Sequence, residues 1–362
     1  MAKHWKWGFV ILAAVWAALF GNMLGYAWNV THREEPIPEV PMEQIQNTNI
    51  SEVAQETMDR FWTVAVFGVD SREGKLGKGT RSDMEMVLNI NLETGEIRMV
   101  SVYRDTYVKI DEKNKYDKIN QAYFEGGPAQ AIWALSENMD LNIDDYVSFS
   151  WKAVADAINL LGGIDVEISP EEFKVINGFI TETVESTGVG SHHLKKAGMN
   201  HLDGVQAVAY ARLRKMDTDF MRTKRQRLVA ELVLEKLKQA DLGTVRQLAF
   251  SILPSVSSSV GMKNILSLAG TVSKFHLTET EGFPFELKDA LVGKKDCVIP
   301  VTLRDNVIRL HQFLFDEEDY VPSQQVEEIS EQIELHTKKS KCSASAKAIK
   351  SKKTLEKTVS IC

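Results

Sequence analysis

Cysteine is nearly absent: Cys297, Cys342 and Cys362 lie far apart, two of them in a polar tail, so neither an even disulfide framework nor a CxxC metal pair can be drawn. A basic excess is missing too. Against 43 Lys and Arg stand 50 Asp and Glu, a formal charge of -7, which argues against a protein that coats nucleic acid. Arginine does not occur at all from 105 to 211, and no internal repeat runs through the chain. What is present is globular composition, 44% hydrophobic and 26% charged over 362 residues, enough for one large domain or two small ones.

Charge is also missing from Trp7 to Trp28 (WGFVILAAVWAALFGNMLGYAW). At helical rise this run covers about 33 Å, enough to cross a hydrocarbon core of about 30 Å. Lys3 and Lys6 precede it, which places residues 1–6 in the cytoplasm, 7–28 in the membrane and the remaining body outside. Cleavage after the small residues near Gly25-Tyr26-Ala27 is the competing reading, but the apolar run is longer than a signal-peptide core of about 7 to 15 residues. Residues 29–60, with Pro36, Pro38 and Pro41, read as a stalk. Residues 321–362 read as an acidic and then Lys-rich tail, expected to be disordered.

Between these segments, strand and helix patterns alternate. Thr63–Asp70 and the alternating Met84, Met86, Leu88, Ile90 and Leu92 read as strands, and a turn at Glu93-Thr94-Gly95 leads into a third strand that delivers Arg104 and Asp105. Helices are expected from Pro128, over 151–161, at about 204–213, 222–240, 243–252 and 262–275, and from Asp305 to Phe315. Strands are expected at 146–150, 164–168 and 298–303. This predicts a single mixed α/β domain, layered α-β-α, over 61–320.

After the arginine-free stretch, Arg212, Arg214, Arg222, Arg225 and Arg227 arrive within sixteen positions. A guanidinium offers a fixed fork of donors to phosphate oxygens, whereas lysine acts as a point charge. Arg222, Arg225 and Gln226 fall at i, i+3 and i+4 of one expected helix, near an N-terminus whose dipole favours an anion. Earlier in the chain, Asp70, Arg72, Arg81, Asp83, Arg104 and Asp105 sit at expected strand ends. Taken singly, each Asp caps a turn or pairs with an Arg; taken together they suit Mg2+ held by one or two carboxylates and substrate phosphate oxygens. His192, His193 and His201 do not make a convincing zinc set, and REGKLGKGT at 72–80 fails the spacing of a P-loop.

Six ordered blocks carry a resemblance: FGVDSR (67–72), TRSDMEMV (80–87), VSVYRDTYVKI (100–110), KINQAYFEGG (118–127), LLGGIDVEI (160–168), and LDGVQAVAYARLR with DFMRTKRQRLV (202–229). They resemble the LytR-CpsA-Psr family, whose layout is a membrane helix followed by an extracytoplasmic domain. The resemblance implies a phosphotransferase that moves a glycopolymer of teichoic acid or capsular polysaccharide type from a polyprenyl-pyrophosphate carrier to peptidoglycan, with Mg2+ assisting. It implies a single-pass protein of a Gram-positive-type membrane, with lipid, lipid-linked glycan and peptidoglycan as partners and no nucleic acid. Carried over by position, Asp70 and Asp83 match the metal-associated acids, while Arg81, Arg104, Arg212, Arg214, Arg222 and Gln226 match the pyrophosphate-binding set. Arg225 would assist that set, Asp105 would position Arg104, and Asp70 or Asp105 would accept the acceptor's proton. Tyr103 departs from the family pattern, which often has proline there. Phe149, Trp151, Trp133 and Leu161 are candidates to line a lipid channel. The rival functions are a membrane-bound transcriptional attenuator and a phosphohydrolase acting on the same lipid with water.

Overall fold

The structure, a computed structural model, describes residues 40–71, 75–214, 219–252, 255–260 and 272–338. The expected membrane helix, Arg72, most of the helix expected at 262–275 and the Lys-rich stretch beyond 338 lie outside these residues. Among the described residues no helix is long and apolar enough to cross a membrane.

The strands are, in chain order, β1 (Phe61–Val69), β2 (Ser82–Asn91), β3 (Glu96–Val102), β4 (Tyr107–Lys109), β5 (Tyr116–Lys118) and β6 (Asp145–Ser150). There follow β7 (Ile164–Ile168), β8 (Gly198–Leu202), β9 (Val256–Ser258), β10 (His276–Phe283), β11 (Leu287–Val292) and β12 (Lys295–Pro300). Six of them form one sheet in the order β10-β3-β2-β1-β6-β9. β2 runs antiparallel to both β1 and β3, whereas β6 joins β1 and β10 joins β3 in parallel. The β2–β3 turn forms where expected: the Asn91 side chain accepts from the amides of Glu93 and Thr94, and Gly95 takes a φ of 80°.

Alternation along the strands sends neighbouring side chains to opposite faces. One face carries Ala65, Phe67, Val69, Val87, Val100 and Val102, packed against the helices Asn120–Met139 and Leu303–Phe315. The other carries Met84, Met86 and Met99 beneath the helices Trp151–Leu160, Pro170–Thr187, Gly204–Ala211 and Asp219–Gln239. The expected three layers are therefore present.

Local chemistry explains the helix starts. Ser169 and Asp203 each close a reciprocal capping box, with Glu172 and Gln206 as the third residues. Gly204 admits a close crossing, because a Cβ there would lie 1.8 Å from the Ala155 carbonyl oxygen. The helix expected to open at Pro128 begins earlier, at Asn120, and breaks at Gly127 (φ 69°, ψ -156°), where a Cβ would come within 3.2 Å of the Lys78 amide. The helix Pro170–Thr187 and the strand β8 occupy a stretch to which the sequence reading assigned no element.

Both domain boundaries need correction. Upstream, the stalk assigned to 29–60 contains the helix Glu52–Met58, whose Ala54 and Met58 are buried in the core; Asn47 is buried as well and donates to the Ser136 carbonyl at 3.1 Å. Downstream, residues 324–338 of the supposed disordered tail are helical, and Val326, Ile329 and Ile333 are buried at i, i+3 and i+7 among acidic neighbours. Asp140 fastens this segment. Its carboxylate accepts from the Tyr320 hydroxyl at 2.9 Å and from the Ser323 amide and hydroxyl at 2.6 Å each.

Candidate functional site at the strand ends

The antiparallel order of β1, β2 and β3 brings the end of β1, the start of β2 and the end of β3 to one edge. Pairing of Glu85 with Val102 and of Val69 with Ser82 places Asp83 opposite Arg104 and Asp70 beside Arg81. Onto this edge the end of the helix Gly204–Ala211 delivers Arg214, and the first turns of the helix Asp219–Gln239 deliver Arg222 and Gln226.

Asp83 is the centre of the group. Its two carboxylate oxygens accept from Arg104 Nη1 and Arg214 Nη2, each at 2.5 Å, and Gln226 Nε2 lies 3.5 Å from its carbonyl oxygen. Burial would raise the Asp83 pKa, but the guanidiniums of Arg214, Arg104 and Arg222 outweigh it and hold the carboxyl below its ordinary value. Arg222 is only 2% exposed. Three guanidiniums thus surround one carboxylate, with Arg214 open to solvent. Asp105 lies 4.0 Å from Arg104 Nε and 3.1 Å from Lys118 Nζ, so it is placed to orient Arg104, while Lys118 is a cation that the sequence reading did not single out. Tyr103 packs edge-on to Phe220, with ring centroids 4.6 Å apart, and ties the Arg104 strand end to the helix that carries Arg222.

Other members of the expected set sit differently. Arg81 is exposed, lies over the Phe124 ring at 5.2 Å and reaches Gln121 at 3.5 Å. Arg212 donates to Thr183 Oγ1 at 3.1 Å, toward the helix Pro170–Thr187. Arg225 requires a correction: it does not share a working face with Arg222. Its Nε bonds Glu172 at 2.7 Å in a pair that is almost wholly buried, so it ties together two helices, and its partner was not recognisable from spacing alone. His201 also has a local role, with Nδ1 2.8 Å from Asp165 and Nε2 2.8 Å from the Gly162 carbonyl.

Among the described residues, no group of three or more His, Cys, Asp or Glu is arranged to hold a metal. Asp70, exposed at the end of β1, and Asp83 on the adjoining strand provide two carboxylates. That donor set matches Mg2+, which takes one or two carboxylates and fills its remaining positions with water and phosphate oxygens.

Directly behind the charged edge lies an apolar cavity of about 340 Å³. Met84, Met86, Met99, Phe149, Trp151 and Val229 are among its lining residues, and Gln226 belongs to both cavity and charged edge. Of the four candidates for a lipid channel, Phe149 and Trp151 line this cavity. Trp133 instead packs against the core on the opposite face, and Leu161 is not among the lining residues. The alternating methionines of β2 were the available signal for the rest of the lining.

Similarity to known proteins agrees with this geometry. The chain is 30% identical over 300 residues to a protein of Bacillus cereus (strain AH820) named polyisoprenyl-teichoic acid--peptidoglycan teichoic acid transferase TagU, covering 81% of this chain and 86% of that one. In fold it resembles the crystal structure of B. subtilis TagV, with a TM-score of 0.57 at 24% identity over 73% of this chain and 99% of that one. It also resembles the LytR-CPS2A-psr family protein YwtF (TagT) with bound octaprenyl pyrophosphate lipid, with a TM-score of 0.50 at 20% identity over 81% and 96% of the two chains. The profile of the LytR_cpsA_psr family matches residues 31–296, and the chain belongs to that family.

Proposed function

We propose that this protein is a membrane-anchored phosphotransferase that joins a glycopolymer, of teichoic acid or capsular polysaccharide type, from a polyprenyl-pyrophosphate carrier to peptidoglycan through a phosphodiester. The observation that carries this reading is the juxtaposition, through Gln226, of an arginine-lined edge with an apolar cavity. An amphiphile with a pyrophosphate head and a hydrocarbon tail meets both at once. The names of the relatives, which act on polyisoprenyl-linked teichoic acid and peptidoglycan, support the same substrate class.

In the proposed reaction a sugar hydroxyl of peptidoglycan attacks the phosphorus that bears the glycopolymer. The new P–O bond forms as the bond to the polyprenyl phosphate breaks, and that phosphate leaves with the lipid. Arg104, Arg214 and Arg222 would bind the two phosphates and stabilise the charge that builds on the leaving group, which is the main contribution a protein makes to phosphoryl transfer. Asp83 holds Arg104 and Arg214 in place before substrate arrives. Asp70 and Asp83 would hold Mg2+, which would supply further neutralisation of phosphate charge. With Asp70 holding the ion, Asp105, beside Arg104 and 3.1 Å from Lys118, is the carboxylate left to take the hydroxyl proton. The apolar run at 7–28 would keep the body at the outer surface of the membrane, where a lipid-linked donor resides.

The test is product analysis by mass spectrometry of the full-length protein in detergent with a polyprenyl-pyrophosphate-linked glycan, nascent peptidoglycan and Mg2+. A phosphodiester-linked conjugate is expected, and Arg104→Ala or Arg222→Ala should lower its rate by roughly 10²- to 10³-fold. Release of free glycan phosphate in place of the conjugate would convert the reading to a phosphohydrolase.

A further inference from the structure

Beside the arginine-lined edge, on the face of the sheet opposite the cavity, the helix Asn120–Met139 carries an aromatic ring that the core does not take. Phe124 is 38% exposed, although Ala122 and Tyr123 just before it are fully buried. Its place is fixed all the same. Its carbonyl accepts from the Gly79 amide at 2.8 Å, and the Arg81 guanidinium lies over its ring, 5.2 Å from the centroid. Gln121, three residues earlier and so on the same helix face, has its Oε1 3.5 Å from Arg81 Nη2, and its Nε2 donates to Glu125 at 3.0 Å. Lys115 donates to the same Glu125 oxygen and balances its charge.

The place of this patch follows from the strands. Met84 and Met86 border the cavity, so Asp83 and Glu85, which alternate with them, belong to the other face, where the helix Asn120–Met139 packs. The Asn120 amide donates to the Arg104 carbonyl at 3.3 Å, which sets the first turn of that helix against the charged edge. Arg81 lies two residues before Asp83, about 7 Å away at strand spacing. An amphiphile with its tail in the cavity and its pyrophosphate against Arg104, Arg214 and Arg222 therefore turns its far end around the strand ends, toward Arg81 and Phe124.

The group at that far end is a sugar. A phenyl ring adds nothing to the binding of a phosphate, but it offers an apolar surface to the C–H face of a sugar ring. The Gln121 carboxamide and the Arg81 guanidinium beside it supply donors for hydroxyl or acetamido oxygens. Arg81 thus stands between the two kinds of group, with Asp83 and the other arginines on one side and the ring on the other.

We infer that Phe124, with Gln121 and Arg81, forms a subsite for the first, uncharged sugar of the lipid-linked donor, and that Phe124 determines specificity there. The inference rests on the donor proposed above and adds the residues that would read its sugar.

The experiment titrates the full-length protein in detergent, without peptidoglycan so that binding alone is read, with two ligands: polyprenyl pyrophosphate carrying one N-acetylglucosamine, and the same lipid pyrophosphate with no sugar. Phe124→Ala should bind the sugar-bearing lipid about tenfold more weakly than the wild type does, and the sugar-free lipid within about twofold of it. Phe124→Tyr keeps the ring and should bind both ligands as the wild type does. Equal weakening of both ligands in Phe124→Ala would mean that the ring only seats Arg81 against phosphate, and would overturn the subsite; so would unchanged binding of both. Failure of the wild type to bind either lipid would instead overturn the donor reading, and the subsite with it.

Discussion

The two faces of the central sheet are made from alternate residues of the same strands, yet they do opposite things. On one face Phe67, Val69, Val87, Val100 and Val102 are almost wholly buried beneath the helices Asn120–Met139 and Leu303–Phe315. On the other, Val66, Met84, Met86, Leu88 and Met99 border a cavity of about 340 Å³. A void deprives its lining of contact partners and so costs stability. The methionines along it are flexible and polarisable, so the lining can reshape around an apolar guest. Tight packing on one side supplies the rigidity that lets the other side stay open.

The sharpest way to break this comparison is to remove the same kind of group from the closed face. Leu135 is fully buried there, and Leu135→Ala should lower stability by about 2–5 kcal/mol in chemical denaturation, the cost of lost transfer plus a new cavity. A loss below about 1 kcal/mol would mean that the closed face is no better packed than the open one. Adding volume to the open face should act differently. Ala230 lines the cavity, and Ala230→Leu should change stability by less than about 1.5 kcal/mol while weakening the binding of polyprenyl pyrophosphate about tenfold, read by lipid titration. Strong destabilisation with lipid affinity intact would show that the cavity is not where the chain lies.

The smallest effect concerns a buried acid on the closed side. Glu85 pairs across the strands with Phe67 and Val102, and its carboxyl accepts from the Ser82 hydroxyl. Burial pushes its pKa up to about 8, with the Ser82 bond pulling the other way. The folded state therefore keeps a proton that the unfolded chain releases near its ordinary value of 4.5. The stability from this protonation is full below about pH 4.5 and is lost as pH rises through about 8. Glu85→Gln should remove that slope, so the Tm of the wild type should fall relative to the variant by about 5 °C between pH 5 and 8. Parallel curves would mean that Glu85 is solvated.

Much of this was legible in the chain. Alternation over 84–92, the Glu93-Thr94-Gly95 turn and the Gly162-Gly163 stop needed only local information, because strand period and turn chemistry act over a few residues. Asp83, Arg104, Arg214 and Arg222 were found as charged groups, and Gln226 as their neutral neighbour, at element ends, and three strands and two helices bring them to one edge. Less legible was Arg225, which has the same helical spacing and the same charge as its neighbours; only the position of Glu172, 53 residues away, turns it into a tie between helices. The tail misled for a related reason. Its acidic residues dominate the composition of 324–338, while Val326, Ile329 and Ile333 become a core stripe only against the surface that Asp140 and the helix Leu303–Phe315 present.

By itself, then, the sequence determined the strand and helix periods, the chemical types at the arginine-lined edge and the family to which they point, all of which depend on residues close together in the chain. Tertiary structure alone decided which arginines face Asp83, that the open face holds a cavity behind them, and that the acidic segment after residue 320 packs onto the core. Those outcomes depend on contacts between residues tens to hundreds of positions apart, where register and packing, rather than local preference, choose each side chain's partner.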